Sequence, residues 1–264
     1  MPPTSLIFDE PSEVYHARAH DYLTSHQLAD FRRCPLLYYR KRAGLIKDED
    51  RPAYQMGRAA HTLILEGTAA FQQRFVVGGP INPRTGQPFG AQTKAFADWT
   101  AAQNKEVLSQ SQFDQVCEMA ASVGSHDDAA RLLSSGHAEV VVRQDYCGRR
   151  CQIRMDWFDP HVAIVDLKTI DNLDFFEVDA KRFGYLYQLA FYRCVLAEAI
   201  SISMPVYFIA IEKREPFRCG VWRIDDDSLS VAAAENRAAV ERLTLCEQED
   251  RWTSGYEDVR SFVA

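Results

Sequence analysis

A chain of 264 residues with 47% hydrophobic content is long enough to bury a substantial core, in one large domain or two small ones. No apolar run approaches the ~20 residues that span a bilayer, Met1-Pro2-Pro3-Thr4 lacks the charged and apolar regions of a secretory leader, and seven cysteines without framework spacing fit reduced thiols, so the expectation is a cytoplasmic protein with no membrane partner. The net charge of −7 would argue against a nucleic-acid binder if it were evenly spread, but residues 225–264 hold ten acids and four bases, which leaves 27 acids and 26 bases in residues 1–224.

Residues 1–20 show no clear periodicity and read as partly extended. Thr24 or Ser25 caps a helix carrying Leu28 and Phe31, and Pro35 starts another through Tyr38 and Tyr39. From Phe31 to Lys47 there are six basic residues and no acid. Arg32, Arg33, Arg40, Lys41 and Arg42 therefore form either a phosphate-gripping face interleaved with tyrosines or a merely solvated helix face. Apolar residues at helical spacing from Tyr54 to Glu66 predict a helix that carries His61 and stops at Gly67. Four glycines and three prolines between Gly78 and Gln92 mark a long loop facing DNA or another subunit. Helices follow at about 92–106, 109–123 and 127–134.

The next stretch organises the chain. A-E-V-V-V-R-Q-D-Y, C-Q-I-R-M-D-W-F-D-P and H-V-A-I-V-D-L-K-T-I are rich in β-branched and aromatic residues, with turns at Cys147-Gly148-Arg149 and Asp159-Pro160. Three consecutive antiparallel strands are expected. Asp166 and Lys168 lie two residues apart on the third, so both side chains point to one side of the sheet. Asp156 sits across the turn and Glu139 begins the first strand, so three carboxylates and a lysine converge at one sheet edge. Converging acids need neutralising, and oxygen ligands suit a hard divalent cation. Beyond them lie a helix over about 180–198, a strand pair at 205–212 and 218–224, and a last helix opened by Asp225-Asp226-Asp227, where acids suit the dipole. The fold class is α/β with a mixed sheet.

A lone D-x-K means little. It recurs as Asp179-Ala180-Lys181 at a predicted helix start, so the weight rests on context. Here the context is specific. Two acids followed by D-x-K resemble the PD-(D/E)xK nuclease core. Gly57-Arg58-Ala59-Ala60-His61, Tyr185-x-x-Gln188-x-x-x-Tyr192 and Leu23-Thr24-Ser25-x-x-Leu28-x-x-Phe31-x-x-Cys34-Pro35-x-x-Tyr38 are similar to its RecB-like branch, most closely the exonuclease VIII (RecE-type) phage-derived exonucleases. The resemblance spans roughly residues 22 to 215.

That resemblance implies one restriction-endonuclease-like nuclease domain over 1–264. It comprises a mainly helical region (1–135) with the metal-ligand helix 54–66, a catalytic sheet and helix (136–224), and an acidic C-terminal helix and tail (225–264). It also implies magnesium, with manganese as a substitute, held by His61, Asp156, Asp166 and the Leu167 carbonyl. Glu139 would assist a second metal or position substrate. Lys168 would orient or deprotonate water, its proton affinity depressed by the metal, and Gln188 would bond near the scissile phosphate or the lysine. Tyr185 and Tyr192 share one helix face with Gln188 and are candidate DNA contacts, or a packing stripe. Arg149, Arg150, Lys181 and Arg182 are further candidates. The implied activity is 5′→3′ digestion of linear double-stranded DNA to mononucleotides, leaving 3′ single strands for an annealing protein. A ring-shaped homo-oligomer in a bacterial or phage-infected cell would carry it out. Other polarity, endonuclease action of the CRISPR-associated type, and a non-catalytic DNA-binding module stay open. Cys147 and Cys151 lack a second Cys/His pair at zinc spacing, and Cys34, Cys194, Cys219 and Cys246 are too scattered for an iron–sulfur cluster, so none is expected.

Overall fold

The computed structural model describes residues 6–47, 52–90 and 92–261; Met1–Thr4 and position 91 of the glycine-rich loop lie outside them. In chain order the elements are β1 (Leu6–Ile7), α1 (Ser12–Ala17), α2 (Ser25–Arg33), α3 (Pro35–Arg42), α4 (Pro52–His61), α5 (Gly67–Arg74), β2 (Phe75–Val77), α6 (Lys94–Ala101), β3 (Glu106–Leu108), α7 (Gln110–Ser125), α8 (Asp127–Leu132), β4 (His137–Tyr146), β5 (Arg149–Asp159), β6 (Ala163–Ile170), α9 (Phe176–Arg182), α10 (Tyr185–Ile200), β7 (Val206–Glu212), β8 (Cys219–Arg223) and α11 (Asp226–Glu249).

The fold is mixed α/β around a six-stranded sheet in the order β1-β4-β5-β6-β7-β8. The β4–β5 and β5–β6 pairs are antiparallel, and β6 pairs parallel with β7. The alternation of β6 explains its place. Val165 and Leu167 face one core with Ala59, Ala60, Val116 and Met119 from α4 and α7. Ile164 and Ile170 face the opposite core with Leu28, Phe31, Leu189, Phe191 and Leu229 from α2, α10 and α11. Each such buried aliphatic or aromatic side chain contributes about 1.5–3 kcal/mol, so β6 is clamped from both sides. Among the described residues no helix is long and apolar enough to cross a membrane.

Several local rules operate as the sequence predicts. Thr24 caps α2 in a reciprocal capping box with Gln27, Pro35 opens α3, and Asp225 accepts from the amides of Asp227 and Ser228 to start α11. The helix expected over 180–198 is two elements instead. Gly184 adopts φ 74 and separates α9 from α10, a conformation that glycine reaches without a Cβ penalty. The described part of residues 1–20 contains helix α1 as well as the extended Leu6–Ile7, and α5 continues beyond Gly67, which has φ 83. A parallel pair, β2 with β3, forms a second small sheet.

Gly136 leads into β4 at φ +115, and a Cβ there would lie 2.7 Å from the Phe158 carbonyl oxygen and 2.9 Å from Trp157 Nε1. Neither neighbour is the loose end of a flexible chain. Gly136→Ala is expected to cost roughly 2–4 kcal/mol, read as a lowered urea midpoint at constant slope. An unchanged midpoint would show that the β4 entry relaxes freely.

Candidate active site

The site lies where β5 and β6 part. Their ladder runs Asp159↔Ala163, Phe158↔Ile164 and Trp157↔Val165, then stops. The next opposed residues are Asp156 and Asp166. Where the ladder ends, the freed Leu167 amide donates instead to Asp156 Oδ2 at 2.9 Å. On the other side Asp156 falls opposite Glu139, between the pairs Ala138↔Trp157 and Val140↔Met155. Glu139 has φ 56, a left-handed conformation that non-glycine residues pay for and that clusters at functional sites. Three carboxylates thus stand in a row across three strands.

His61 arrives from the other direction. It ends α4, and the chain continues as a π-helical turn over Thr62–Glu66, a geometry common beside functional residues. Its Nδ1 lies 3.6 Å from Asp156 Oδ2, and its ring is within hydrogen-bonding reach of the Leu167 carbonyl. Gly57 brings α4 close to β6, where a Cβ would sit 3.4 Å from Thr169 Oγ1. That is ordinary contact, so the close approach does not by itself demand glycine.

Charge at the site is unbalanced in a telling way. Lys168 Nζ lies 2.5 Å from Asp166 Oδ2, yet both Asp166 oxygens are buried without a hydrogen-bond partner of good geometry among the described residues. Burial, opposed by Lys168 and reinforced by Asp156, pushes the Asp166 carboxyl up to about 6. Burial and Asp156 together push Glu139 to about 7, against the pull of Arg154. Asp156 is also raised by burial, with Lys168 and the Leu167 amide opposing. Burial and the Lys168 charge hold His61 down to about 4, so it is neutral at neutral pH although a quarter of its side chain stays accessible. Burial lowers Lys168, but Asp166 and Asp156 outweigh it and raise the net value. A bound cation would oppose this by neutralising the same two acids.

These residues fit a divalent cation. His61, Glu139 and Asp156 present ligand atoms all within 4.8 Å of one another, and a neutral imidazole with two carboxylates is a suitable donor set. Glu139 joins that group more closely than Asp166, which turns toward Lys168. Gln188 donates to the Tyr192 hydroxyl at 3.0 Å, and Tyr192 is buried beside Asp156 and Asp166, whose charges help raise it after burial itself. Lys168 Nζ sits 4.8 Å from the centroid of the Tyr185 ring.

The predicted basic contacts are less concentrated. Arg149 donates two hydrogen bonds to the Glu247 carboxylate, and Arg150 stacks on Tyr22 while donating to its hydroxyl, at the far end of the β4–β5 hairpin. Seven residues of strand, roughly 23 Å, separate Arg149 from Asp156. Arg32 donates to Asn236 and stacks on Tyr187, Lys41 pairs with Asp30 at 2.9 Å, and Arg42 donates to the His20 carbonyl. Arg33, Arg40, Lys181 and Arg182 remain on the surface.

Two residues beside the site escape a reading of spacing. Arg154 Nε donates to Glu139, leaving Nη1 buried without a partner among the described residues. His26, two residues after the Thr24 cap, keeps accessible surface, yet burial of its ring and the Lys168 charge hold it below its usual range. The signals were faint: an R-x-D in β5 and a histidine in the first turn of α2.

The residues from 24 to 261 match the family described as "PDDEXK-like domain of unknown function (DUF3799)". The chain belongs to this family. None of the curated proteins compared with it matches significantly. Among solved structures the PDDEXK-like chain is similar to a protein from Eubacterium rectale described as "Putative exonuclease", at 17% identity and a TM-score of 0.69 over 98% of this chain and 97% of that one. That likeness shows a shared fold along nearly the whole length. A chain described as LHK-Exo in complex with dAMP aligns at 14% identity and a TM-score of 0.33, over 91% of this chain and 99% of that one.

Proposed function

We propose that this PDDEXK-like protein is a divalent-metal-dependent deoxyribonuclease that digests linear double-stranded DNA from its ends, using magnesium or, in its place, manganese. The observation that carries this reading is the placement of Asp156, Asp166 and Lys168 at the parting of β5 and β6, closed by His61 and Glu139. A bound divalent ion would supply Lewis-acid polarisation of the phosphoryl group and a more acidic attacking water. His61, Glu139, Asp156, Asp166 and the Leu167 carbonyl are the groups that would hold it.

Lys168, placed against Asp166, offsets charge on the phosphate and orients or deprotonates the attacking water. Gln188 and Tyr192, bonded to each other, would support the scissile phosphate or the lysine from α10. Attack from the 5′ end, release of mononucleotides, a ring-shaped oligomer and an annealing partner rest on the RecE-type resemblance of the motifs, and the name of the Eubacterium rectale protein adds an analogy of fold.

The test uses linear duplex labelled separately at each 5′ and 3′ end, with a closed circular duplex in parallel. Early release of 5′ label as mononucleotides with magnesium, none in chelator, and an intact circle support the reading. A cut circle makes the protein an endonuclease. No cleavage with any divalent ion makes it a binding module.

A further inference from the structure

Phe183 presents an aromatic face to the surface. It is 57% exposed, at the junction where Gly184 breaks α9 from α10. The Arg182 guanidinium lies 5.4 Å from the centroid of its ring, and the centroid of the Tyr185 ring lies 5.9 Å away. Tyr185 in turn sits over Lys168 Nζ. A continuous run therefore leads from the Asp166–Lys168 pair, across two aromatic rings, to a surface cation. Lys181 is exposed next to Arg182, and an Arg32 nitrogen comes to 4.0 Å of where a Gly184 Cβ would stand. Of the two acids on α9, Glu177 is engaged with the Trp222 indole nitrogen, and Asp179 is close enough for its charge to act on Tyr185.

An exposed ring flanked by cations, and continuous with residues that would handle a phosphodiester, has the chemistry of a nucleobase platform. Stacking uses the base's π face, and the cations hold the adjoining phosphates. A base inside a duplex has both faces covered by its neighbours. We infer that Phe183, with Tyr185 behind it and Arg182 beside it, stacks an unpaired nucleobase next to the phosphate in the active site, so that the DNA end is frayed before it is cut. This deepens the proposed nuclease reading and rests on it. It names the substrate at the site as a locally single-stranded end.

The experiment measures binding of the full-length protein in chelator to a set of single-stranded oligonucleotides, each with one abasic nucleotide at a successive position. The wild-type protein should lose about tenfold in affinity when one particular position is abasic. Phe183→Ala should lose about tenfold with intact DNA and nothing further when that position is abasic, because the two changes remove the same contact. Phe183→Trp should restore binding, and Val231→Ala, which removes an exposed apolar side chain from α11, should change nothing. Intact-DNA affinity unaltered by Phe183→Ala, or losses that add, would overturn the platform. A change of particle mass without a change in DNA affinity would make Phe183 part of an interface between copies and overturn it as well. Magnesium-dependent cleavage by the wild-type protein is assayed alongside. Its absence counts against the nuclease reading itself, whereas cleavage combined with an indifferent Phe183→Ala counts against the platform alone.

Discussion

Lys168→Ala is expected to reduce DNA cleavage by at least about a thousandfold while leaving binding to DNA in chelator within about threefold of wild type. Lys168 is placed to do two things at once. It offsets charge at the phosphate, and it is the cation that lies 2.5 Å from the buried Asp166. Without it, Asp166 becomes an unpaired carboxylate that is 1% exposed, a situation that costs several kcal/mol or is relieved by taking up a proton. A protonated Asp166 is also a poor metal ligand, so the variant loses the cation of the lysine and the anion of the aspartate together. Single-turnover kinetics at saturating manganese separate the two losses. If high manganese restores most of the rate, Lys168 serves chiefly to keep Asp166 ionised. Near-wild-type cleavage at ordinary metal concentration would remove Lys168 from the mechanism.

The strands that carry these residues were legible because their burial imposes a pattern. Ile164, Val165, Leu167 and Ile170 leave β6 only one reading, and the period of two then places Asp166 beside Lys168. Spacing brings the acids to one sheet edge, but it could not supply the geometry that lines them up in a row. That row depends on β5 and β6 ceasing to pair after Trp157↔Val165, and on Glu139 adopting a positive φ. Neither feature has a local sequence signal. The same holds for β2 and β3, which are three residues each, lie on either side of α6, and exist only through each other. The break at Gly184 was readable in principle, since glycine is the residue that ends a helix in the left-handed region, but the apolar and aromatic residues that resume directly after it, from Tyr185 to Tyr187, mask it. The intramolecular partners of the arginines were hidden for a related reason. Composition reveals how many cations a segment has, whereas Arg32 and Arg149 find their partners on α11, at Asn236 and Glu247.

The metal affinity of the site should depend steeply on pH, and the direction follows from the acids. In the metal-free protein Glu139 holds its proton to about 7 and Asp166 to about 6, both above their ordinary values, so a cation arriving below those values has to displace protons. Affinity therefore falls as pH falls. Between pH 8 and 5.5 the two acids together predict a loss of about a hundredfold for manganese. His61 does not contribute over that range, because it is held down to about 4 and is already neutral, and Lys168 keeps its proton throughout. Calorimetric titration in two buffers of different ionisation enthalpy checks both parts of the argument. At pH 5.5 binding should release between one and two protons, and at pH 8 almost none. Glu139→Gln should flatten the upper part of the curve, between pH 8 and about 6, and leave the Asp166 contribution below it. An affinity independent of pH from 8 to 5.5 would mean that the row of carboxylates across β4, β5 and β6 does not receive the cation, and that the ion proposed for cleavage is held elsewhere.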